Sequence, residues 1–250
     1  MSKKPLTRDE QFLAKAAGDD VPMPNPRTRA QEFLKRIVER LSGSVTEETL
    51  SDAIAPLNAS VAQLSRKTIQ FRHGKGTLTA TANGTNFTWQ YGGQQVQGGS
   101  CTFEVKSDNG LITLKCDNVD SLAIQKGAAN KIDLSDLGGK ITNALGLGGC
   151  PSITGDLSDL GGKIANTLSL RDCPNITGVY CGTKYPKIVS LSNTAITSAD
   201  MDANLINFAA SGVKSGKFTA TGMKRTAASD DAVATLVANG WTVSGLKKEG

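Results

Sequence analysis

Chemistry in this chain would have to pass through very few residues. His73, in "FRHGKG", is the one histidine among 250 residues, so a Ser-His-Asp or Cys-His arrangement would have to be built on it. Nothing in its immediate sequence prepares it for that role. Five cysteines (101, 116, 150, 173 and 181) are odd in number and lack metal-ligand spacing. They read as free, small, apolar side chains. The tripeptide "GGK" at 138–140 and 161–163 lacks the leading glycine and following Ser/Thr of a phosphate-cradling loop. Each copy of "DLSDLGGKI" sets two carboxylates three apart, Asp133 with Asp136 and Asp156 with Asp159. That spacing suits a surface calcium ion or the capping of short turns, and capping is the plainer use of aspartate. The expectation is a non-catalytic chain with no metal and no cofactor.

The elements that would hold such residues follow from composition. Hydrophobic residues at 38% and aromatics at 5%, with 27 glycines, favour many short strands and turns over a large helical core. No run approaches the ~20 apolar residues of a membrane span, so no membrane insertion is expected. "MSKKPLTRDEQ" is basic but has no apolar stretch behind it, so no export signal is read there. The formal charge is +5, and the first 43 residues hold nine Lys/Arg against six Asp/Glu. Acids are interleaved among those bases and no stacking aromatics accompany them, so nucleic acid is not the expected partner.

Four regions succeed one another. Residues 1–43 use one phrase twice, "PLTRDEQFLAK" at 5–15 and "PRTRAQEFLKR" at 26–36. Thr7 with Glu10 and Thr28 with Gln31 fit the capping-box pattern, which predicts short helices over about 8–17 and 29–42. The prolines of "GDDVPMPNP" keep the link between them extended. Residues 44–67 carry Leu50, Ile54, Leu57, Val61 and Leu64 at spacings of 4, 3, 4 and 3. That is a coiled-coil seam, flawed by Pro56. Ile and Val opposite Leu also suit two strands, and the same stripe would serve a helix folded onto its own domain.

Residues 68–119 alternate and are rich in threonine, with "NG" at 83–84 and "DNG" at 108–110 as turn signals. Trp89 and Tyr91 suit a ligand platform or a core, and core filling or subunit contact is preferred. Residues 120–250 repeat: "DLSDLGGKI" recurs with a shift of 23, and "ALGLGGCPSITG" at 144–155 aligns with "TLSLRDCPNITG" at 167–178. A period in the twenties with L-x-L-x-x-C-x-x-I marks leucine-rich repeats. Leu145 and Leu147, then Leu168 and Leu170, should face a shared core, with Cys150 and Cys173 buried at the bend. "LITLKCDNVDSLAI" reads as a first coil. Val189, Leu191 and Ile196 continue the pattern with Thr194 at the cysteine place, and Phe218 extends it, with Met223 a further candidate. Helices are predicted in "SADMDANLINFAAS", capped by Ser198 or Asp200, and in "SDDAVATLVANG", capped by Ser229 or Asp230 and closed by Gly240. "WTVSG" is a last edge strand. The fold class is mixed α/β and elongated: docking helices, a short coiled coil, a β-rich middle and a leucine-rich-repeat-like solenoid.

The doubled phrase resembles the N-terminal segments of head fibre and related capsid-decorating structural proteins of tailed bacteriophages. Pro5, Thr7, Arg8, Phe12 and Leu13, then Pro26, Thr28, Arg29, Phe33 and Leu34, carry the resemblance. The C-terminal half resembles cysteine-containing leucine-rich repeats, "SLRDCPNITG" most closely. The resemblance implies a virion structural protein assembled in the host cytoplasm. Residues 1–43 would dock on the major capsid protein or another virion protein, and the repeat domain would face a host surface molecule. By analogy with fibre appendages the seam implies a homotrimer. A tail or collar fibre, or a bacterial leucine-rich-repeat adhesion protein, are the alternatives.

Overall fold

Alternation builds the first sheets. In the computed structural model, which describes residues 66–249, β1 (Lys67–His73) buries Ile69, Phe71 and His73 and leaves Thr68, Gln70 and Arg72 exposed. β6 (Gly110–Cys116) pairs antiparallel with it and buries Ile112, Leu114 and Cys116. β3 (Thr88–Tyr91), β4 (Gln94–Gln97) and the short β8 (Asn130–Lys131) complete a five-stranded sheet in the order β4-β3-β6-β1-β8. Trp89 is fully buried there, with Nε1 donating to the Gly98 carbonyl at 3.1 Å. It is a core residue and not a platform.

β2 (Gly76–Thr85) and β5 (Ser100–Val105) belong to a second, eight-stranded sheet. They bury Leu78, Ala80 and Ala82 against Cys101, Phe103 and Val105. Tyr91 meets Phe103 across the two sheets, ring centres 6.0 Å apart. Asn83-Gly84, expected to turn a hairpin, instead lies within β2 at a register shift. Gly84 has φ +144°, and a Cβ there would fall 2.2 Å from the Asn118 carbonyl oxygen. A bulge that presses two backbones together needs glycine for that reason. The chain bends after it, where Asn86 takes φ 56°, and β3 then enters the other sheet. "DNG" does lie in the turn between β5 and β6, but those strands enter different sheets.

The repeats extend the same eight-stranded sheet. β7 (Asn118–Ile124) pairs antiparallel with β2 and parallel with β9 (Ile141–Gly146). Beyond β9 every neighbour is parallel: β11 (Thr167–Ser169), β13 (Ile188–Ser190), β14 (Lys217–Thr219) and β16 (Thr242–Ser244). The boundary expected at 119/120 therefore falls inside a strand. Of the expected first coil, only "NVDSLAI" joins the parallel run, because Cys116 ends β6 in the other sheet. Leu122, Leu145, Leu168, Val189, Phe218 and Val243 share one register row, and all but Val243 are buried. Two further pairs, β10 (Thr154–Asp156) with β12 (Asn175–Thr177) and β15 (Lys224–Arg225) with β17 (Lys247–Lys248), run parallel beside this sheet.

The segments that return the chain between parallel strands change along the sheet. Leu134–Leu137 and Leu157–Leu160 are 3-10 turns, each with two buried leucines three apart, the spacing that eclipses in such a turn. Later returns are helical: α1 (Ser198–Ala210) and α2 (Asp230–Ala238). Thr197 caps α1 by accepting from the Asp200 N–H at 3.1 Å, one residue before the expected cap. Ser229 stands at the α2 N-cap without a side-chain cap bond. Its hydroxyl is turned to Asp202 of α1 instead, 2.5 Å away.

Cys150 and Cys173 are fully buried at the bends, as is Asn130 one lap earlier. Asn130 donates to the carbonyls of Gln125 (2.9 Å) and Gly127 (3.3 Å) and to Cys150 Sγ (3.1 Å). Cys173 Sγ meets the Leu147 carbonyl at 3.2 Å, and Thr194, at the equivalent place, donates to Leu191. A small, weakly polar side chain at each bend meets carbonyls that the strands leave unpaired. Among the described residues the observed class is mixed α/β, mostly strands in several sheets with two helices. No helix among the described residues is long and apolar enough to cross a membrane.

Candidate ligand-binding face of the parallel strands

Each three-residue parallel strand turns its middle residue inward and its flanking residues outward. The outward rows are therefore Ala144, Thr167, Ile188, Lys217 and Thr242 on one side, and Gly146, Ser169, Ser190, Thr219 and Ser244 on the other. The second row is all glycine and hydroxyl, and Thr219 and Ser244 lie 3.4 Å apart across it. Nearer the antiparallel strands, Asn143 donates to Ser121 (3.2 Å) and Thr142 to Asp120 (3.3 Å). The second row offers hydrogen-bonding groups and little bulk, while the first exposes Ile188 beside Lys217.

A run of exposed lysines lies along one margin, where the chain enters the strands. The backbone ladder continues into these entry segments. Asn166 N–H donates to Asn143 (2.9 Å), Ile188 to Asn166 (2.8 Å), Lys217 to Lys187 (2.7 Å) and Lys184 to Gly162 (3.0 Å). Lys163, Lys184, Lys187, Lys214 and Lys217 are all exposed on it. Lys140 is half-buried and donates to the Asp136 carbonyl at 2.6 Å. A Cβ on Gly139 would lie 3.6 Å from Lys163 Nζ, so Lys163 reaches back over the preceding lap. The stretches 138–144, 161–167, 182–188 and 211–217 contain no Asp or Glu, and among the described residues none of the five exposed lysines forms an ion pair.

The opposite margin differs. There Lys224 pairs with Glu249 (3.3 Å), and Arg225 (2.6 Å) and Lys248 (2.5 Å) share Asp230. Asn193 bonds Asp172 at 2.7 Å. Residues 66–249 hold nineteen Lys/Arg against fourteen Asp/Glu, while residues 1–65 hold nine of each. The excess charge thus belongs to the described part, although the first 43 residues read alone are basic.

The groups singled out for chemistry are otherwise occupied. His73 is buried with Nδ1 2.5 Å from the Gly74 carbonyl oxygen, and burial pushes its pKa down, partly opposed by that bond. Burial pushes the thiols of Cys101 and Cys173 up to about 11. Cys181 alone is exposed. Asp133 and Asp156 cap the two 3-10 turns through the N–H groups of Ser135 (3.0 Å) and Ser158 (2.9 Å). The Ser135 hydroxyl and N–H, with Thr154, hold Asp133 below its ordinary pKa against a small desolvation penalty. Asp159 returns a bond to the Asp156 N–H at 3.0 Å. Among the described residues no three His, Cys, Asp or Glu side chains gather as a metal site.

The docking residues Pro5, Thr7, Arg8, Phe12, Leu13, Pro26, Thr28, Arg29, Phe33 and Leu34 lie outside the described residues. So do Leu50, Ile54, Leu57, Val61 and Leu64. The expected neck reached residue 67, whereas Lys67 opens β1. The lysine margin was missed from sequence, yet its signal was present. Lys163 of the second "GGK" is followed 21 residues on by Lys184, while Lys140 of the first is held by the Asp136 carbonyl. No family model, no curated protein and no solved structure matches this chain.

Proposed function

We propose that the chain is a non-catalytic structural protein of a phage virion, a head fibre or capsid decoration protein. The observation that carries this reading is the doubled phrase, in which Thr7-Arg8 and Phe12-Leu13 recur 21 residues on as Thr28-Arg29 and Phe33-Leu34. Two linked weak contacts to virion protein raise avidity without either being strong. The seam Leu50, Ile54, Leu57, Val61 and Leu64 makes the chain a homotrimer. Residues 118–249 form a leucine-rich-repeat-like solenoid that the particle displays, for attachment to a host surface. Five successive parallel pairings and the row of small bend residues support that last element. A tail or collar fibre would differ only in where the anchor docks. Taken alone, the parallel run also suits a bacterial leucine-rich-repeat adhesion protein.

Co-sedimentation with purified particles tests the docking. Phe12 and Leu13 to Ala should weaken attachment, and adding Phe33→Ala and Leu34→Ala should abolish it while the melting curve holds. Normal attachment of the fourfold variant ends the docking reading. Light scattering tests the trimer, and a monomer at micromolar concentration overturns it.

A further inference from the structure

We propose that the lysine margin of the parallel sheet binds a linear acidic polysaccharide laid across successive strands. The inference rests on the display reading of residues 118–249 and not on where the N-terminal segment docks. Neighbouring strands repeat about every 4.8 Å, and the ladder from Asn143 through Asn166 and Ile188 to the Lys187–Lys217 pair is unbroken. Lys187 and Lys217 adjoin across this ladder. Lys163 and Lys184, brought side by side by the Lys184–Gly162 bond, lie three residues upstream of it, so the four cations form a positive band that runs across successive strands. With no acid in these segments and no ion pair among the described residues, the band keeps its field for a ligand.

The chemistry between the lysines selects a sugar polymer. Thr142, Asn143, Asn166 and Thr167 lie beside them in the same entry segments, offering hydroxyl and amide groups to a hydroxyl-rich chain. A groove for single-stranded nucleic acid would add aromatic platforms for the bases. The one aromatic in these segments up to Lys217, Tyr185, is packed edge-on against Phe208 and Tyr180, ring centres 5.0 and 5.5 Å away. The cations are also all lysine, point charges without the arginine fork that matches phosphate in two bonds.

The test uses the full chain and a fluorescent oligogalacturonate of defined length, with neutral maltooligosaccharide and an oligothymidylate of matched charge as further arms. Oligogalacturonate should bind at low salt and weaken as salt rises. In K163Q/K184Q/K217Q, binding should fall to the maltooligosaccharide level, and the slope of log K against log salt should drop by about 2. K106Q/K115Q, which removes exposed lysines outside this margin, should bind as the parent does. The single reversal K184E reads the same loss independently of how the triple variant folds. Undiminished binding by K184E and the triple variant overturns the proposal, as does an equal loss in K106Q/K115Q. Tighter binding of oligothymidylate would assign the margin to nucleic acid instead. Absence of oligogalacturonate binding would also overturn it while leaving particle docking, measured separately by co-sedimentation, untouched.

Discussion

The laps that return through 3-10 turns and those that return through helices cover the same sheet with opposite materials. Between β9 and β13 the return segments meet through glycine. A Cβ on Gly162 would fall 2.0 Å from Gly182 Cα, and one on Gly138 would fall 2.9 Å from the Asp159 carbonyl oxygen. The strands there follow one another by 23 and then 21 residues. Between β13 and β16 the space is filled by a wedge of rings, Phe208 meeting Tyr185, Phe218 and Trp241 edge-on at 5.0, 5.4 and 5.8 Å. The laps lengthen to 29 and 25 residues. Every rung stays three residues wide, so lap length is set by the thickness of the return layer. A helix about 10 Å across needs filler beneath it; a four-residue turn does not.

The largest test of that difference is Phe208→Ala, which should cost about 3–5 kcal/mol by cavity formation. Urea unfolding of the full chain measures it. A loss no greater than that of a surface change would show that the helical laps do not depend on the wedge. Gly162→Ala should follow, at about 2–4 kcal/mol, because it combines backbone overlap with a positive φ of 54°. Gly212 sharpens the point: its φ is +71° but nothing lies near its Cβ position. Gly212→Ala should therefore cost only the conformational strain, about 1–2 kcal/mol. Equal losses at the two glycines would break the account of close approach.

Polar anchoring also separates the two kinds of lap. Asp202 on α1 is buried and accepts from Thr226 N–H (3.0 Å), Thr226 Oγ1 (2.6 Å) and Ser229 Oγ (2.5 Å), tying the two helical laps together. Burial raises its pKa, but the bonds from Ser229 and Thr226, with nearby Arg225, outweigh it and hold the net value below 3.8. A depressed carboxyl pKa stabilises the fold above the unfolded value and loses that contribution as pH falls through the folded one. Asp202→Asn should therefore destabilise at neutral pH by about 1–3 kcal/mol, and the gap to the parent should narrow below about pH 4. A gap unchanged by acid would show that the charge of Asp202 is not what matters. Asp133→Ala, which removes a local and exposed cap, should cost only about 1 kcal/mol.

Thiol reactivity sorts the laps without a change in stability. Cys181, exposed in the segment before β13, should label first, and Cys150 and Cys173 should stay protected until the chain unfolds. Rapid native labelling of either would show that the bends are open.

Much of this was legible because the inward rows repeat in type. Leu145 and Leu168, Leu147 and Leu170, Cys150 and Cys173 could be aligned by identity alone, and each pair is buried at matching places. Asn130 was not aligned with them. It differs from cysteine in type, and the first lap borrows β7 from a strand pair with no repeat of its own. The bulge at Asn83-Gly84 was misread as a turn because the same dipeptide serves either role. The contact that decides between them, the Asn118 carbonyl, lies 34 residues away.

The sequence by itself determined the periodicities: two-residue alternation through β1, β2 and β5, and a 23-residue repeat with apolar rows and small bend residues. Such patterns are local, and a side chain facing a core must be apolar wherever that core lies. Only the tertiary structure decided that β7 joins both systems into one sheet, that Asp202 reaches Ser229 across a lap, and that five exposed lysines share one margin. Those outcomes depend on register between strands 21 to 29 residues apart, and long-range pairing sets that register where no residue type can announce it.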